Sequence, residues 1–211
     1  MRIENSRILG GVGALLMFIG VFPYVNYFGI VGLIGLILIM LALYSLSNYY
    51  GERCIFNNAL YGLITSIVGG VIAMVLIITT VIPSLIKIFH TIFPEWNGDW
   101  TALPKLELTP DVLNFSLEMF MPFLTGILAT FITLWVFSMI SAFFVRRSFR
   151  TLSVKSGVGL FSTAGLLLLI GAVLLIIFVG AILVWVSTLL LAVAFFQIKP
   201  QQAQPTTSTQ M

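Results

Sequence analysis

Residues 8–47 carry no charged side chain, and neither do residues 156–198. Runs of that length select the solvent. About 20 apolar residues make one helical crossing of a hydrocarbon core about 30 Å thick. At 1.5 Å per residue, each of these runs makes about 60 Å of helix, enough for two crossings. The rest of the chain agrees: it is 60% hydrophobic and 8% charged, with mean hydropathy +1.14, where a soluble domain is about 25% charged. The expected fold is an all-α polytopic membrane protein, a six-span helical bundle with a short outer amphipathic segment.

The start of the chain, MRIENSR followed by an apolar stretch, has the outline of a secretory signal. No small-x-small cleavage site follows; the next residues are Pro23-Tyr24-Val25-Asn26-Tyr27. The stretch therefore reads as a first span. Pro23 and Asn26 divide the first long run into spans at about 8–24 and 28–47. Further spans are expected at about 58–83, 122–145, 157–178 and 181–198, all within one membrane domain of residues 1–198. Pro122 is placed at a first helical position, and the last two spans are divided near Gly180. Residues 84–121 form an outer segment, and residues 199–211 a disordered cytoplasmic tail rich in Gln, Thr and Pro.

Six spans bring both termini to one side. Arg2, Arg7, Arg53, Arg146, Arg147, Arg150, Lys155 and Lys199 then share one face, and only Lys87 and Lys105 lie on the other. The positive-inside rule puts the basic face, with both termini, in the cytoplasm of a cell (plasma) membrane protein. The positive net charge is thus topological, and no nucleic-acid partner is expected. Cys54 is the single cysteine, so no internal disulfide can form.

Shifting the sequence by 151 residues places Gly20 on Gly171 and Gly29 on Gly180. Spans five and six therefore suggest a copy of spans one and two, although shared apolar composition gives the same matches. The outer segment holds two basic and five acidic residues. Within it Leu85, Ile86, Phe89, Ile92 and Phe93 fall on one helical face, and Trp96 and Trp100 suit the membrane interface. Thr109-Pro110-Asp111 reads as the start of a second surface helix. His90 with Glu95 and Asp99 has no recognised metal spacing.

No Asp, Glu, Lys, Arg or His falls within a span. Such groups are costly in lipid and commonly functional; without them, proton relays and charged-substrate sites inside the membrane are not expected. Span four carries Thr130, Thr133 and Ser141 on roughly one side, candidates for lining a polar path, though hydroxyls also bond back to their own helix. With no base beside them they are not activated nucleophiles. No catalytic residue, metal ligand or cofactor is expected, and no enzyme activity. Gly62, Ser66 and Gly70 make a small-xxx-small row in span three, a candidate helix-packing surface. Gly10-Gly11-Val12-Gly13 lacks the strand and the Lys-Ser/Thr of a phosphate-binding loop and reads as packing.

The polar stretches are two loops on the basic face. One is 49–62, with Glu52 and Arg53; the other holds Arg146, Arg147, Arg150 and Lys155. Both are candidate contacts for membrane lipid, for other membrane proteins or for a second copy of the chain. Glu52 and Arg53 suit pairing with a partner, or Glu52 pairing with Arg146 or Arg147.

The stretch Tyr50-Gly-Glu-Arg-Cys-Ile-Phe-Asn-Asn-Ala-Leu-Tyr-Gly62, the element Phe161-Ser-Thr-Ala-Gly165 and the ending Ala192-Val-Ala-Phe-Phe196 resemble the uncharacterised, mainly archaeal membrane family numbered 996 among domains of unknown function. The resemblance covers roughly residues 8–198. It implies a multi-pass membrane protein and brings no activity, cofactor or site residue. The expected role is that of a non-enzymatic membrane partner or scaffold subunit; the alternative is a transporter or channel for a neutral or weakly polar solute.

Overall fold

The computed structural model describes residues 3–22, 29–93, 96, 98 and 117–199. No strand occurs among them. In chain order they form α1 (Ile3–Ile19), α2 (Ile30–Tyr49), α3 (Arg53–Leu76), α4 (Ile82–Ile92), α5 (Leu117–Ser156), α6 (Leu160–Val173) and α7 (Val179–Phe196). Among the described residues five runs are long and apolar enough to cross a membrane: Ile30–Tyr49, Arg53–Ile92, Phe120–Ser156, Leu160–Ile177 and Val179–Phe196. The protein is a polytopic all-α membrane protein. The sixth expected span, α1, has 17 residues and carries Glu4 and Arg7 near its start, so it falls short of the others in apolar length.

Several boundaries move from their expected positions, each for a physical reason. The loop expected at 49–62 contracts to a turn at Tyr50–Glu52. There the Glu52 amide donates to the Ser47 carbonyl and the Ser47 hydroxyl donates to the Glu52 carbonyl, both at 2.9 Å. Gly51 turns the chain at φ +64°, a conformation open to glycine. Asn57 and Asn58 consequently lie inside α3. The loop expected around Arg146–Lys155 is helix through Ser156. Its basic residues share the turns with Ser148, Phe149 and Leu152, which are buried, and this inward stripe keeps the helix folded. Pro122 sits inside α5, where its ring leaves the Glu118 carbonyl without its usual donor.

A second proline explains the turn at Ile77–Val81, which is π-helical. Pro83 has no amide proton, and its ring crowds the Thr79 carbonyl four residues back. The helix widens just upstream. The Thr79 hydroxyl donates to the Val75 carbonyl at 2.8 Å and the Thr80 hydroxyl to the Leu76 carbonyl at 2.5 Å. These hydroxyls give polar backbone in an apolar helix extra partners, as lipid requires. Between α6 and α7, where a division near Gly180 is expected, a 3-10 turn at Leu174–Ile177 ends on Phe178 at φ +61°.

The chain divides into two compact units, Met1–Ile64 with Met139–Met211, and Thr65–Ser138. In the first, α1 and α2 form a tight antiparallel pair. A Cβ built on Gly13 would stand 2.7 Å from the Gly35 carbonyl oxygen, and one on Gly35 would stand 2.6 Å from that of Gly13. Helices α6 and α7 make a similar pair through Gly171 and Gly180. Both hairpins thus have a glycine-on-glycine contact. Gly20, the counterpart of Gly171 at the 151-residue shift, lies against Gly32, so the register differs between the two. Helix α7 also packs on α1: Gly10 meets the Phe195 ring, and the Phe18 and Trp185 rings stack at 4.6 Å. The Gly10-Gly11-Val12-Gly13 segment is therefore a packing surface inside α1.

The core of this unit gathers Leu43, Leu46, Ile55, Phe149, Leu152, Phe161, Phe195 and Ile198. Of these, Ile55, Phe149 and Leu152 are interleaved in sequence with Arg53, Arg146, Arg147, Arg150 and Lys155, so part of this core underlies the basic end. In the second unit Gly69 lies against the Phe137 ring and Gly126 approaches Thr80. Most of its helical surface is apolar and exposed, as at Ile67, Val71, Met74, Leu124 and Leu128, which suits contact with lipid or with another helix.

Candidate functional site

Serines tie the helices of the first unit together. Ser148 of α5 donates to the Ile55 carbonyl of α3 at 2.5 Å, and Ser141 donates to the Gly62 carbonyl at 2.8 Å. Ser187 of α7 donates to the Ala164 carbonyl of α6 at 2.8 Å. Ser6 and Ser45 share a hydroxyl–hydroxyl bond of 2.6 Å between α1 and α2. A short hydroxyl side chain reaches a neighbouring backbone only where helices approach closely, and glycines provide that approach beside Ser141, at Gly62.

On this framework Lys155 pairs with Glu52 at 3.1 Å, instead of the Arg146 or Arg147 partner expected from the sequence. A lysine more than two helical turns beyond Arg146 and Arg147 reaches Glu52 because α5 continues past Arg150. Arg53, Arg147 and Arg150 are exposed, and Arg146 is half-buried with its backbone against Gly165. The structure thus unites Glu52 with Lys155 and leaves three arginines projecting. Burial, with Tyr49 beside it, raises the Tyr50 phenol above its ordinary value of 10, so this ring stays neutral at the basic face.

The other candidate positions separate. Thr130 and Thr133 donate to the carbonyls of Gly126 and Ala129 in their own helix, both at 2.8 Å, whereas Ser141 spends its proton on α3. Gly62 is buried against Val145; Ser66 is exposed, and a Cβ on Gly70 would meet nothing within 4 Å. His90 Nδ1 donates to the Ile86 carbonyl, 3.0 Å away, and its ring lies 5.1 Å from that of Trp96. Glu95, Asp99, Trp100 and the helix start at Pro110 lie outside the described residues, as does the tail from 200 onward. Among the described residues no three His, Cys, Asp or Glu side chains gather as a metal site would require.

Sequence inspection singled out neither Arg7 nor Lys199 as a site residue. Both line a cleft of about 830 Å³ with Ser156–Leu160, Thr163 and Phe196–Ile198. An Arg7 terminal nitrogen lies 3.5 Å from the Ile198 carbonyl, and its buried Nε has no acceptor among the described residues. The signal for this cleft was present only in position: each residue stands where a charge-free run ends.

Comparison with known proteins gives the chain its relatives. The model of a family described as "Protein of unknown function (DUF996)" matches residues 31–189. The chain belongs to this family. An uncharacterised protein of Methanocaldococcus jannaschii is 29% identical over 200 residues, covering 94% of each chain. No solved structure matches. The DUF996 match takes in α2 through most of α7, including Gly62, Thr130, the arginines of α5 and the start of α6. Arg7 and Lys199 fall outside its bounds.

Proposed function

We propose that this DUF996 chain is a non-enzymatic, membrane-embedded partner or scaffold subunit of the cell membrane. Both termini lie in the cytoplasm, and the contact surface is the basic end. The observation that carries this reading is that Arg53, Arg147 and Arg150 are exposed beside the buried core residues Ile55, Phe149 and Leu152. A rigid support lowers the entropy lost when a surface binds. Its partners are membrane lipid and other membrane proteins or a second copy of the chain, and nucleic acid is not among them.

The test is crosslinking of the full-length chain in native membranes. Partner or self-association crosslinks are expected, and Arg147→Glu with Arg150→Glu should remove most of them. A chain that runs as a lone monomer and yields no crosslink would overturn the reading. For the orientation, a thiol label on a Cys54→Ser background should reach Asn97→Cys only from outside and Arg150→Cys only from inside.

One observation favours the transporter reading as the second choice. The π turn at Ile77–Val81 carries Thr79 and Thr80, and Gly126 of α5 approaches Thr80; such turns recur at functional sites. This reading requires solute flux in proteoliposomes that Thr130→Val and Thr133→Val reduce. Flux left unchanged by both would sink it.

A further inference from the structure

We propose that the cleft between the start of α1, the start of α6 and the end of α7 binds the phosphate of an anionic phospholipid headgroup. Arg7 and Lys199 line it, and among the described residues no carboxylate does. Among the described residues the one ion pair is Lys155 with Glu52, so neither cation is neutralised by a described acidic group. The Arg7 guanidinium has five donor hydrogens. One terminal nitrogen reaches the Ile198 carbonyl at the outer limit of a hydrogen bond, and Nε finds no acceptor among the described residues. The guanidinium thus keeps donor capacity that no described acceptor takes up. Beside these cations a Cβ on Gly157 or Gly159 would meet nothing within 4 Å, so the space next to the turn is empty.

Depth and greasiness select a lipid over free phosphate. Arg7 is the last charge before the run 8–47 and Lys199 the first after the run 156–198. The two cations therefore lie where hydrocarbon gives way to headgroups, and basic pockets between helix ends at that level take anionic lipids. Phe196, at the edge of the same cleft, is 43% exposed and offers an acyl chain a surface below the phosphate. The inference deepens the proposed function by naming a lipid component of it. The two fail separately, because partner crosslinks and lipid binding are read in different assays.

The experiment measures the thermal unfolding midpoint of the full-length chain in detergent during titration with short-chain phosphatidylglycerol, short-chain phosphatidylcholine or inorganic phosphate. Phosphatidylglycerol should raise the midpoint and the other two should not. With about 1 kcal/mol per basic residue near a headgroup, Arg7→Gln with Lys199→Gln should weaken apparent binding about thirtyfold. Arg7→Lys and Arg53→Gln should keep it, the first by retaining charge and the second by lying outside the cleft. If the double variant does not fold, Lys199→Gln alone, at an exposed position, should show about a fivefold loss. Equal stabilisation by phosphatidylcholine would overturn the proposal. So would an equal response to inorganic phosphate, or unchanged binding in the charge-removed variants.

Discussion

Three serines of one unit and four threonines of the other use the same functional group in opposite ways. Ser141, Ser148 and Ser187 send their protons to the backbone of a neighbouring helix. Thr79, Thr80, Thr130 and Thr133 return theirs to the carbonyl four residues back. The difference follows from side-chain shape and helix separation. A β-branched hydroxyl is held near its own preceding turn, while a serine on a close contact can turn outward. A hydroxyl in a span is therefore neither a pore lining nor a clasp by its identity; the nearest backbone decides. The back-bonded threonines still keep lone pairs as acceptors, which is the residual support for a polar path in the second unit.

Substitutions test this contrast most strongly at glycine. Gly35→Leu should be the most damaging change, because its first side-chain atom would meet the Gly13 carbonyl. Overpacking of this kind costs about 1–3 kcal/mol or more. Gly70→Leu, with open space around it, should stay within about 0.5 kcal/mol of the parent. Reversible unfolding in mixed micelles compares the two, and equal losses would erase the distinction between the packed and open glycines.

Ser148→Ala should cost about 0.6 kcal/mol, and at most about 2, the range for hydrogen bonds between helices in membranes. Thr130→Val, which removes only a back-bond, should cost less in the same unfolding assay. A larger loss for Thr130→Val would reverse the assignment of clasp and spectator. The smallest effect belongs to the Glu52–Lys155 pair. Both groups are partly exposed, and a double-mutant cycle should give about 0.2–1 kcal/mol of coupling that fades with added salt. Coupling that salt leaves intact would mean the pair is better shielded than its exposure indicates.

The membrane character and the position of α2 and α7 were legible because absence of charge over 40 or so residues has one cheap physical outcome. The end of α5 was not legible. Arg146, Arg147, Arg150 and Lys155 raise the polarity of the stretch until it resembles a loop, while Ser148, Phe149 and Leu152 hold the helix from the other side. The glycine row was half legible. Steps of four residues advance about 40° past a full turn each time, so Gly62, Ser66 and Gly70 drift off one face. The contact positions are instead Gly62, which meets Val145, and Gly69, which meets Phe137. Their seven-residue spacing nearly closes two turns. The cleft at Arg7 and Lys199 joins residues 192 positions apart, and only the pairing of α1 with α7 brings them to one place.

The π turn ahead of Pro83 also bears on chain length. A π turn holds one residue more than an α-helical turn of the same rise, so Ile77–Val81 absorbs a surplus residue without rotating the helix beyond it. Deleting one residue there would restore regular α-helix and leave the apolar stripe of α4 on the same side. Deleting one residue from the regular helix on either side would swing that stripe by about 100°. Family members one residue shorter are therefore expected to carry their gap at 77–81, and those lacking Pro83 should need no surplus at all.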